Sequence, residues 1–410
     1  MNVHLIPEDK KAKKIGMAVA ESVPISKDRA FELYDFQTEK IITKAKQVEA
    51  RHVGLQFPEG FLEYATAISR RISEGADCDV TIMADAVFGA CCVDDLACRS
   101  QGVDLLVHFG HSCLIPIDQT VVQTMYIPVT MKFNYEHLIE TIRYNFPIET
   151  RIALQGTIQF ANVFPIIEQR LSSEGYVVQI PRSRPLSAGE TLGCTAPEIT
   201  GADILVFVAD GRFHIEAAMM ANPDLPAFRY DPFSNRFFSE FLSLNELNQT
   251  RLNQMKKCKS VKRVGLVLGT LGRQGSVGIL ESLKEVLNEK GIQTFTVLIS
   301  EISPERMSQF GDSVDAWVQV ACPRLSIDWG ESYSAPLLSS FEAFKLWGGD
   351  SDLNEAEFHI PMDYYSNNTG PWGNYAARRG GWAGSTNTSW KFWHMGPGKD
   401  KIAPLANLDQ

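Results

Sequence analysis

The sequence predicts an α/β protein made of three related parallel-sheet domains. One observation is that short β-rich runs alternate with helix-like segments along most of the 410 residues. Continuous apolar strands separated by helices are typical of parallel sheets that are covered on both faces. The second observation is an internal repeat, because two independent landmarks each recur three times at the same intervals. Such periodicity predicts three copies of one α/β unit.

The first landmark is the leading strand of each unit. It occurs in HVGLQFPEG, RIALQGTIQF and RVGLVLGTLGRQG, whose apolar cores start at Val53, Ile152 and Val264, at intervals of 99 and 112 residues. The second landmark is an aspartate in GVDLLVHFGHSC, GADILVFVADGRFH and SVDAWVQVACPRLS. The same two intervals separate the three aspartates: Asp104, Asp203 and Asp315.

Each predicted unit has the same order of elements. The leading strand ends in a Gly- or Pro-bearing loop, and a helix follows, as in GFLEYATAISRRISEG. A second strand comes next (DVTIMAD, YVVQIP or TFTVLIS), and then the strand led by the aspartate. Parallel sheets of this kind place ligands at the carboxyl ends of their strands. The predicted division is an N-terminal extension over 1–47, repeats over 48–148, 149–258 and 259–350, and a C-terminal extension over 351–410.

Three cysteines follow the carboxyl ends of strands, one in each unit. Cys91 follows the second strand of unit one, Cys194 the second strand of unit two, and Cys322 the third strand of unit three. If the units pack around a pseudo-threefold axis with these ends inward, the thiols converge. Three thiolates suit an iron–sulfur cluster with one open iron, or zinc with water as the fourth ligand. A single cysteine in such a loop is more often a small buried hydrophobe.

The other five cysteines are expected to have different roles. Cys92 adjoins Cys91, but neighbouring side chains diverge, so only one of the two is expected to bind a metal. Cys113 lies in HFGHSC with His108 and His111, which resembles a zinc half-site, although lining the end of the strand is the favoured interpretation. The remaining three lie in helix or linker positions and are expected to be structural: Cys78, Cys98 and Cys258.

Composition and charge limit the partners and the compartment. The formal net charge of −10 argues against nonspecific binding to nucleic acid or to an anionic membrane, and it permits a basic protein partner. The N-terminal stretch MNVHLIPEDKKAKKIG lacks the apolar run of a signal peptide, and no apolar run is long enough to span a membrane. We therefore expect a cytoplasmic chain whose thiols stay reduced, which favours metal or redox chemistry over disulfides.

Eight segments of the chain carry a resemblance to a known family. In sequence order they are LQFPEG, GACCVDD, VHFGHSCLIP, LGCTAP, DGRFHIEAAMMANP, YDPF, LGTLGRQG and ACPRLSIDWG. This series resembles the diphthamide biosynthesis radical enzymes, and within them the first of the two paralogous eukaryotic subunits. The resemblance runs from Val48 to the region of Trp372, and Phe57 stands where the family more often has Met.

The resemblance implies a fold, a cofactor set and a reaction. The family has three related α/β domains in a triangle around a central 4Fe-4S cluster, and matched motifs assign its ligands to Cys91, Cys194 and Cys322. The reduced cluster cleaves S-adenosylmethionine on the methionine side of the sulfonium. The resulting 3-amino-3-carboxypropyl radical adds to one histidine of translation elongation factor 2, the first step of diphthamide biosynthesis. The family also implies a heterodimer with a paralogous second subunit and a small electron-donor protein.

Contacts to S-adenosylmethionine are expected at strand ends of unit three. Asp328 would pair with the amine of the cofactor, while Gln274 and Ser300 would donate to its carboxylate. Alternatively, Ser300 caps a helix and Asp328 orders a loop. The run GTLGRQG lacks the GK[ST] ending of a phosphate-binding loop. Arg273 and His214 are expected to line the entrance for the protein substrate, or, for His214, to be a buried hydrogen-bonding residue.

Two other functions remain open from sequence. The chain could be a non-catalytic scaffold or electron-relay subunit of the same complex, although the presence of all three cysteines favours the catalytic role. A zinc-dependent hydrolase that uses the same thiols is the third alternative. The tail from about Gly370 contains four tryptophans, at 372, 382, 390 and 393, which either dock on a partner or wrap around their own domain.

Overall fold

The computed structural model describes residues 33–349 and 358–375 of the chain. Unit one has a four-stranded parallel sheet in the order β3-β2-β4-β5. A short antiparallel pair, β1 with β6, lies beside it. The elements are β1 (Tyr34–Asp35), α1 (Thr38–Gln47), β2 (His52–Gln56), α2 (Leu62–Ala76), β3 (Asp79–Met83), α3 (Asp95–Ser100), β4 (Leu105–Phe109), β5 (Gln123–Ile127) and β6 (Thr130–Met131).

Unit two has a five-stranded sheet in the order β11-β10-β9-β7-β8. Its strands are parallel except for β11, which pairs antiparallel with β10 at the edge. The elements are α4 (Tyr135–Asn145), β7 (Arg151–Gly156), α5 (Ile158–Ala161), α6 (Phe164–Ser173), β8 (Val177–Gln179), β9 (Ile204–Val208), α7 (Phe213–Ala221), β10 (Ala227–Asp231) and β11 (Arg236–Glu240).

Unit three returns to four parallel strands, in the order β13-β12-β14-β15. Every unit therefore has its second strand at one edge, followed by its first, third and fourth strands. This arrangement confirms the predicted α/β class with parallel sheets. The elements are α8 (Leu244–Lys257), β12 (Arg263–Gly269), α9 (Val277–Glu289), β13 (Gln293–Ile299), α10 (Pro304–Ser308), β14 (Ala316–Val320), α11 (Arg324–Trp329), β15 (Leu337–Ser339) and α12 (Ser340–Trp347).

The repeated aspartates have one structural role in all three units. Each lies just before the third strand, and its carboxylate accepts backbone N–H hydrogen bonds of 2.8–3.0 Å from the start of the first strand. This contact sets the same register between the first and third strands of each sheet. The donors are Arg51 and His52 for Asp104, Arg151 for Asp203, and Lys262 and Arg263 for Asp315.

The central strands of each sheet are buried on both faces, which explains their continuous apolar runs. Along β4, Leu105 and Val107 belong to a core within unit one, whereas Leu106 points into a larger central core. Strands β9 and β14 alternate in the same way, as expected from the two-residue period of a strand. The central core contains residues from all three units, so the three sheets share one apolar interior.

A helix precedes the first strand of each unit and packs onto the sheet that follows it. Ile41 of α1 lies in the core of unit one, Leu138 of α4 in the core of unit two, and Leu252 of α8 in the central core beside Val264. The predicted boundaries at 47/48, 148/149 and 258/259 follow these helices, whereas packing groups each helix with the next unit. None of the described helices has the length and hydropathy to cross a bilayer.

Candidate metal-cluster site

The structure brings together the three cysteines that follow strand ends. Cys91 lies in a short 3-10 turn after β3, Cys194 in the loop between β8 and β9, and Cys322 two residues after β14. The pKa of Cys91 is raised well above its usual value, first by a hydrogen bond with Cys92 and then by burial and by the nearby Cys194 and Cys322 thiols. Cys194 in turn interacts electrostatically with Cys322. One thiol from each unit therefore contributes to a common site.

Of the other five cysteines, only Cys92 lies next to the three candidate ligands. The three candidate ligands are partly exposed. Cys113 is exposed as well, and its thiol donates to the carbonyl of Ile115 at 3.6 Å. Three more are buried and lie near carboxylates: Cys78, Cys98 and Cys258. Geometry thus divides the cysteines in the way the strand-end argument expected.

Cys92 is buried and also lies near the other thiols of the site, including that of Cys322. Its side chain is fully buried, and its sulfur accepts a hydrogen bond of 3.3 Å from Nε2 of Gln274. Its carbonyl accepts another, of 2.9 Å, from Nε2 of Gln56. The hydrogen bond with Cys91, together with those from Gln274 and the backbone, lowers the pKa of Cys92 to about 7 despite its burial. Cys91 is the more exposed of the two and Cys92 the more readily ionised, so the choice of Cys91 as the ligand stays a prediction.

A loop of unit three holds the cysteine turn of unit one. The backbone N–H of Arg273 donates to the carbonyl of Cys91 at 2.8 Å. The guanidinium of Arg273 forms an ion pair with the fully buried Asp95, with N–O distances of 2.6 and 2.7 Å. Arg273 therefore joins two units, in contrast to the expected position at a substrate entrance. Gly272 has φ of +54°, and a Cβ atom there would lie 2.4–2.6 Å from the backbone of Cys92.

Arg324 connects the cysteine loops of units two and three. Its buried guanidinium donates to both carboxylate oxygens of Asp328 at 2.8 Å, to the carbonyl of Gly193 at 3.2 Å and to Glu216 at 2.9 Å. Burial raises the pKa of the Cys194 thiol to about 12 and also raises that of Cys322. The Arg324 cation acts on both thiols in the opposite direction, since a positive charge stabilises thiolates.

The segment 358–375 covers the Cys194 loop from the other side. Thr195 forms an antiparallel bridge with Asp363, and the N–H of Tyr364 donates to the carbonyl of Cys194 at 3.3 Å. Trp372 donates from its indole nitrogen to Asp363 at 2.8 Å and packs edge-on against Phe341. Trp372 therefore wraps around its own chain. The tryptophans at 382, 390 and 393 lie outside the described residues.

Two of the three expected cofactor contacts adjoin the thiols. Gln274 is buried and its amide donates to Cys92. Asp328 lies near Cys322, is partly buried, and is paired with Arg324. Ser300 is exposed at the end of β13. The structure therefore brings Gln274 and Asp328 to the thiols, and Ser300 follows Ile299, whose carbonyl accepts a 2.9 Å hydrogen bond from Thr270 at the start of the loop that contains Gln274.

Three histidines from two units lie beside this site. Nδ1 of His108 lies 2.8 Å from Oε1 of Gln56, and its Nε2 lies 3.1 Å from Nδ1 of His111. Burial lowers the pKa of both His111 and His214 to about 4, with a smaller contribution from His214 at His111 and from Arg324 at His214. His108 and His111 therefore line the end of a strand, as favoured from sequence.

Sequence reasoning missed the buried polar residues that support the cysteine loops. Nε2 of Gln319 donates to the carbonyl of Cys322 at 2.9 Å, as Gln56 does to that of Cys92. Arg324 was missed because its partners on unit two are more than 100 residues away in sequence. Glutamines within apolar strand runs such as HVGLQ were an available signal, since a buried polar side chain needs a partner.

The donor set fits an iron–sulfur cluster. No group of three or more His, Cys, Asp or Glu side chains within the described ranges is arranged to hold a single metal ion. A 4Fe-4S cluster binds each thiolate at a different iron, so its ligands need not converge as closely as those of one zinc ion. Fold and site together define an α/β protein of three similar units with a three-thiol site suited to such a cluster.

Comparison with known proteins identifies the family. Residues 57–357 match the family model described as "Putative diphthamide synthesis protein". The chain therefore belongs to the diphthamide synthesis protein family, which confirms the resemblance found in its motifs.

Curated relatives and solved structures agree with this assignment. The chain is 44% identical to 2-(3-amino-3-carboxypropyl)histidine synthase subunit 1 of Gallus gallus, over 88% of each chain. It is 42% identical to the Schizosaccharomyces pombe protein of the same name, over 83% of this chain and 79% of the relative. The crystal structure of Dph2 from Pyrococcus horikoshii with a 4Fe-4S cluster has the same fold, with a TM-score of 0.68 and 22% identity over 82% of this chain and 95% of that one.

Proposed function

We propose that this chain is the catalytic subunit of a 2-(3-amino-3-carboxypropyl)histidine synthase. In this proposal it transfers the 3-amino-3-carboxypropyl group of S-adenosylmethionine to a histidine of translation elongation factor 2, the first step of diphthamide biosynthesis. The observation that carries the proposal is the meeting of three thiols, one from each unit: Cys91, Cys194 and Cys322. The names of the curated relatives support the reaction class.

These three cysteines would hold a 4Fe-4S cluster, with the units arranged as a triangle around it. When bound, such a cluster supplies an electron at low potential and one iron without a protein ligand. The chain contributes the environment of that site. Arg324 offsets part of the thiolate charge from between two of the loops, and the shared apolar core keeps bulk water away from the buried side of the site.

S-adenosylmethionine would be bound by Asp328, Gln274 and Ser300. A carboxylate has about four acceptor positions, so Asp328 can accept from an ammonium group while it remains paired with Arg324. The amide of Gln274 and the hydroxyl of Ser300 would donate to the carboxylate of the cofactor. The position of Asp328 near Cys322 supports this assignment, because it puts the charged end of the cofactor beside the proposed cluster.

The proposal includes partners and a compartment. We infer a heterodimer with a paralogous subunit 2, which the name "subunit 1" of the relatives supports. Elongation factor 2 is the protein substrate, a small electron-donor protein supplies reducing equivalents, and the complex works in the cytoplasm. Nucleic acid and membrane are not proposed as partners, since the net charge of −10 gives no attraction to phosphate groups.

An anaerobic reconstitution tests this function. The chain is co-expressed with and without its paralogue, and transfer from labelled S-adenosylmethionine to elongation factor 2 is measured with a reductant. We expect a brown protein, a heterodimer by size measurement, and transfer that needs both chains. A homodimer that works at full rate would overturn the heterodimer, and a colourless zinc protein would overturn the cluster.

A matched pair of variants separates catalysis from scaffolding. Cys322→Ala in the complex should abolish transfer, whereas Cys258→Ala should retain most of it, because Cys258 is buried away from the site. If the chain were only a scaffold, the complex with Cys322→Ala would still modify elongation factor 2.

A further inference from the structure

Tyr365 is a buried tyrosine at the centre of the thiol site. Its side chain is 2% exposed and belongs to the core shared by the three units. The thiols of all four cysteines of the site act electrostatically on its phenol: Cys91, Cys92, Cys194 and Cys322.

Backbone hydrogen bonds hold the main chain of Tyr365 beside the Cys194 loop. The N–H of Tyr365 donates to Oγ1 of Thr195 at 3.0 Å, and the N–H of Tyr364 donates to the carbonyl of Cys194 at 3.3 Å. The adjoining bridge between Thr195 and Asp363 completes a two-stranded contact. The main chain of Tyr365 is therefore fixed next to the cysteine loop independently of any contact of its hydroxyl.

The hydroxyl of Tyr365 makes no hydrogen bond to another described residue, which sets it apart from comparable tyrosines. Tyr126, Tyr176 and Tyr333 donate to backbone carbonyls at 2.9–3.0 Å, and Tyr364 lies 3.5 Å from the hydroxyl of Ser339. Buried phenols normally find an acceptor. With the four thiols around it, the Tyr365 hydroxyl is positioned to donate to a group bound at those thiols.

We propose that the Tyr365 hydroxyl donates a hydrogen bond to a sulfur atom of the cluster held by Cys91, Cys194 and Cys322, and thereby raises the cluster's reduction potential. This inference rests on the proposed function, because it needs the cluster to be present. A hydrogen bond to sulfur stabilises the reduced form, which carries more negative charge, more than the oxidised form. Tyr365 would therefore be a tuning residue, with no bond made or broken at its ring.

Tyr365→Phe tests the inference because it removes the hydroxyl and keeps the ring. We expect iron and sulfide content to stay near that of the parent protein and the reduction potential to become more negative in a dye-mediated titration followed by EPR. The parent's reduced cluster should also show an exchangeable proton in ENDOR spectra that Tyr365→Phe lacks. Tyr364→Phe is the matched control, since its hydroxyl is directed to Ser339, and it should leave both readouts unchanged.

The possible results distinguish failure of the Tyr365 hydrogen bond from failure of the proposed function. An unchanged potential in Tyr365→Phe, with normal iron, leaves the proposed function intact and overturns the hydrogen bond. Loss of the cluster in that variant would show a packing role and would also overturn it. The ENDOR measurement on the parent protein needs no variant, and absence of an exchangeable proton there is equally decisive. A parent chain that takes up no cluster overturns both this inference and the proposed function.

Discussion

At the scale of single residues, the adjacent pair Cys91 and Cys92 shows how environment assigns a role. Cys91 is partly exposed and lies near the thiols of the other two units. Cys92 is fully buried, and its sulfur is occupied by the amide of Gln274. Two identical side chains one residue apart therefore differ in exposure and in pKa, and the prediction is that the more exposed one, Cys91, binds the cluster.

We expect Cys91→Ala, Cys194→Ala and Cys322→Ala each to lose most of the bound iron. A cubane left with two thiolates loses an anionic ligand and a geometric anchor. Iron and sulfide analysis after anaerobic reconstitution measures the effect, with Cys78→Ala as the control at a buried position outside the site. Loss of iron in Cys92→Ala but not in Cys91→Ala would show that the ligand assignment is wrong by one position.

Asp328→Asn should weaken binding of S-adenosylmethionine roughly tenfold while iron is retained. The substitution keeps the shape of the side chain and removes the charge opposite the ammonium group of the cofactor. Equilibrium binding measures the effect. Glu216→Gln is the matched control because Glu216 also pairs with Arg324, but from unit two. Equal losses in both variants would mean that Asp328 acts only by holding Arg324.

The cysteines were predictable from sequence because each follows a strand that the repeat identifies. Arg324 and Tyr365 were not, since their partners come from other parts of the chain. Arg324 donates to Gly193 and Glu216 of unit two, and Tyr365 meets Thr195 about 170 residues away. Spacing within a motif contains no information on such contacts, which arise only when the units pack.

At the scale of elements, the loop after β12 connects unit three to unit one through Gly272. We expect Gly272→Ala to lower both iron retention and stability, because a Cβ would overlap the backbone of Cys92. Gly291→Ala is the matched control: its φ is also positive, at +70°, but a Cβ there meets nothing within 4 Å. The control should lose about 1 kcal/mol from backbone strain alone. Chemical denaturation and iron analysis compare the two, and equal effects would contradict the docking role.

The strands of this fold were easier to predict than the limits of its units. Apolar runs and the repeated aspartates identified the first and third strands, and those aspartates set the register between them. The predicted division left α1 in the N-terminal extension and grouped α4 and α8 with the preceding unit, because the landmarks begin at the strand that follows each helix. The packing of their apolar faces shows which sheet each helix covers: Ile41 of α1, for example, lies in the core of unit one.

At the scale of the whole molecule, the contact between units one and two should make folding pH-dependent. Burial holds the pKa of His111 and of His214 at about 4 in the folded chain, below the roughly 6.5 of an exposed histidine. Between about pH 6.5 and pH 4, these histidines are protonated in the unfolded state but remain neutral in the folded state. The free energy of unfolding therefore decreases as the pH is lowered through this range. The loss is at most roughly 3 kcal/mol per histidine.

Urea denaturation of the cluster-free chain at several pH values checks this expectation. His214→Gln should flatten the fall in stability between about pH 6.5 and pH 4, while the carboxylates that titrate in the same range stay unchanged. An identical pH dependence in the variant and the parent would contradict neutral burial of His214.

The three-unit origin of the site has a consequence for how the protein matures in the cell. Cys91 leaves the ribosome long before Cys322, and the segment that brings Tyr364 and Tyr365 against the Cys194 loop is made later still. A chain whose synthesis has not yet passed Cys322 cannot present three thiols together. The proposed cluster would therefore be inserted after translation. Until synthesis has passed Tyr365, the unligated thiols must be kept reduced by the reducing systems of the cell or by a chaperone.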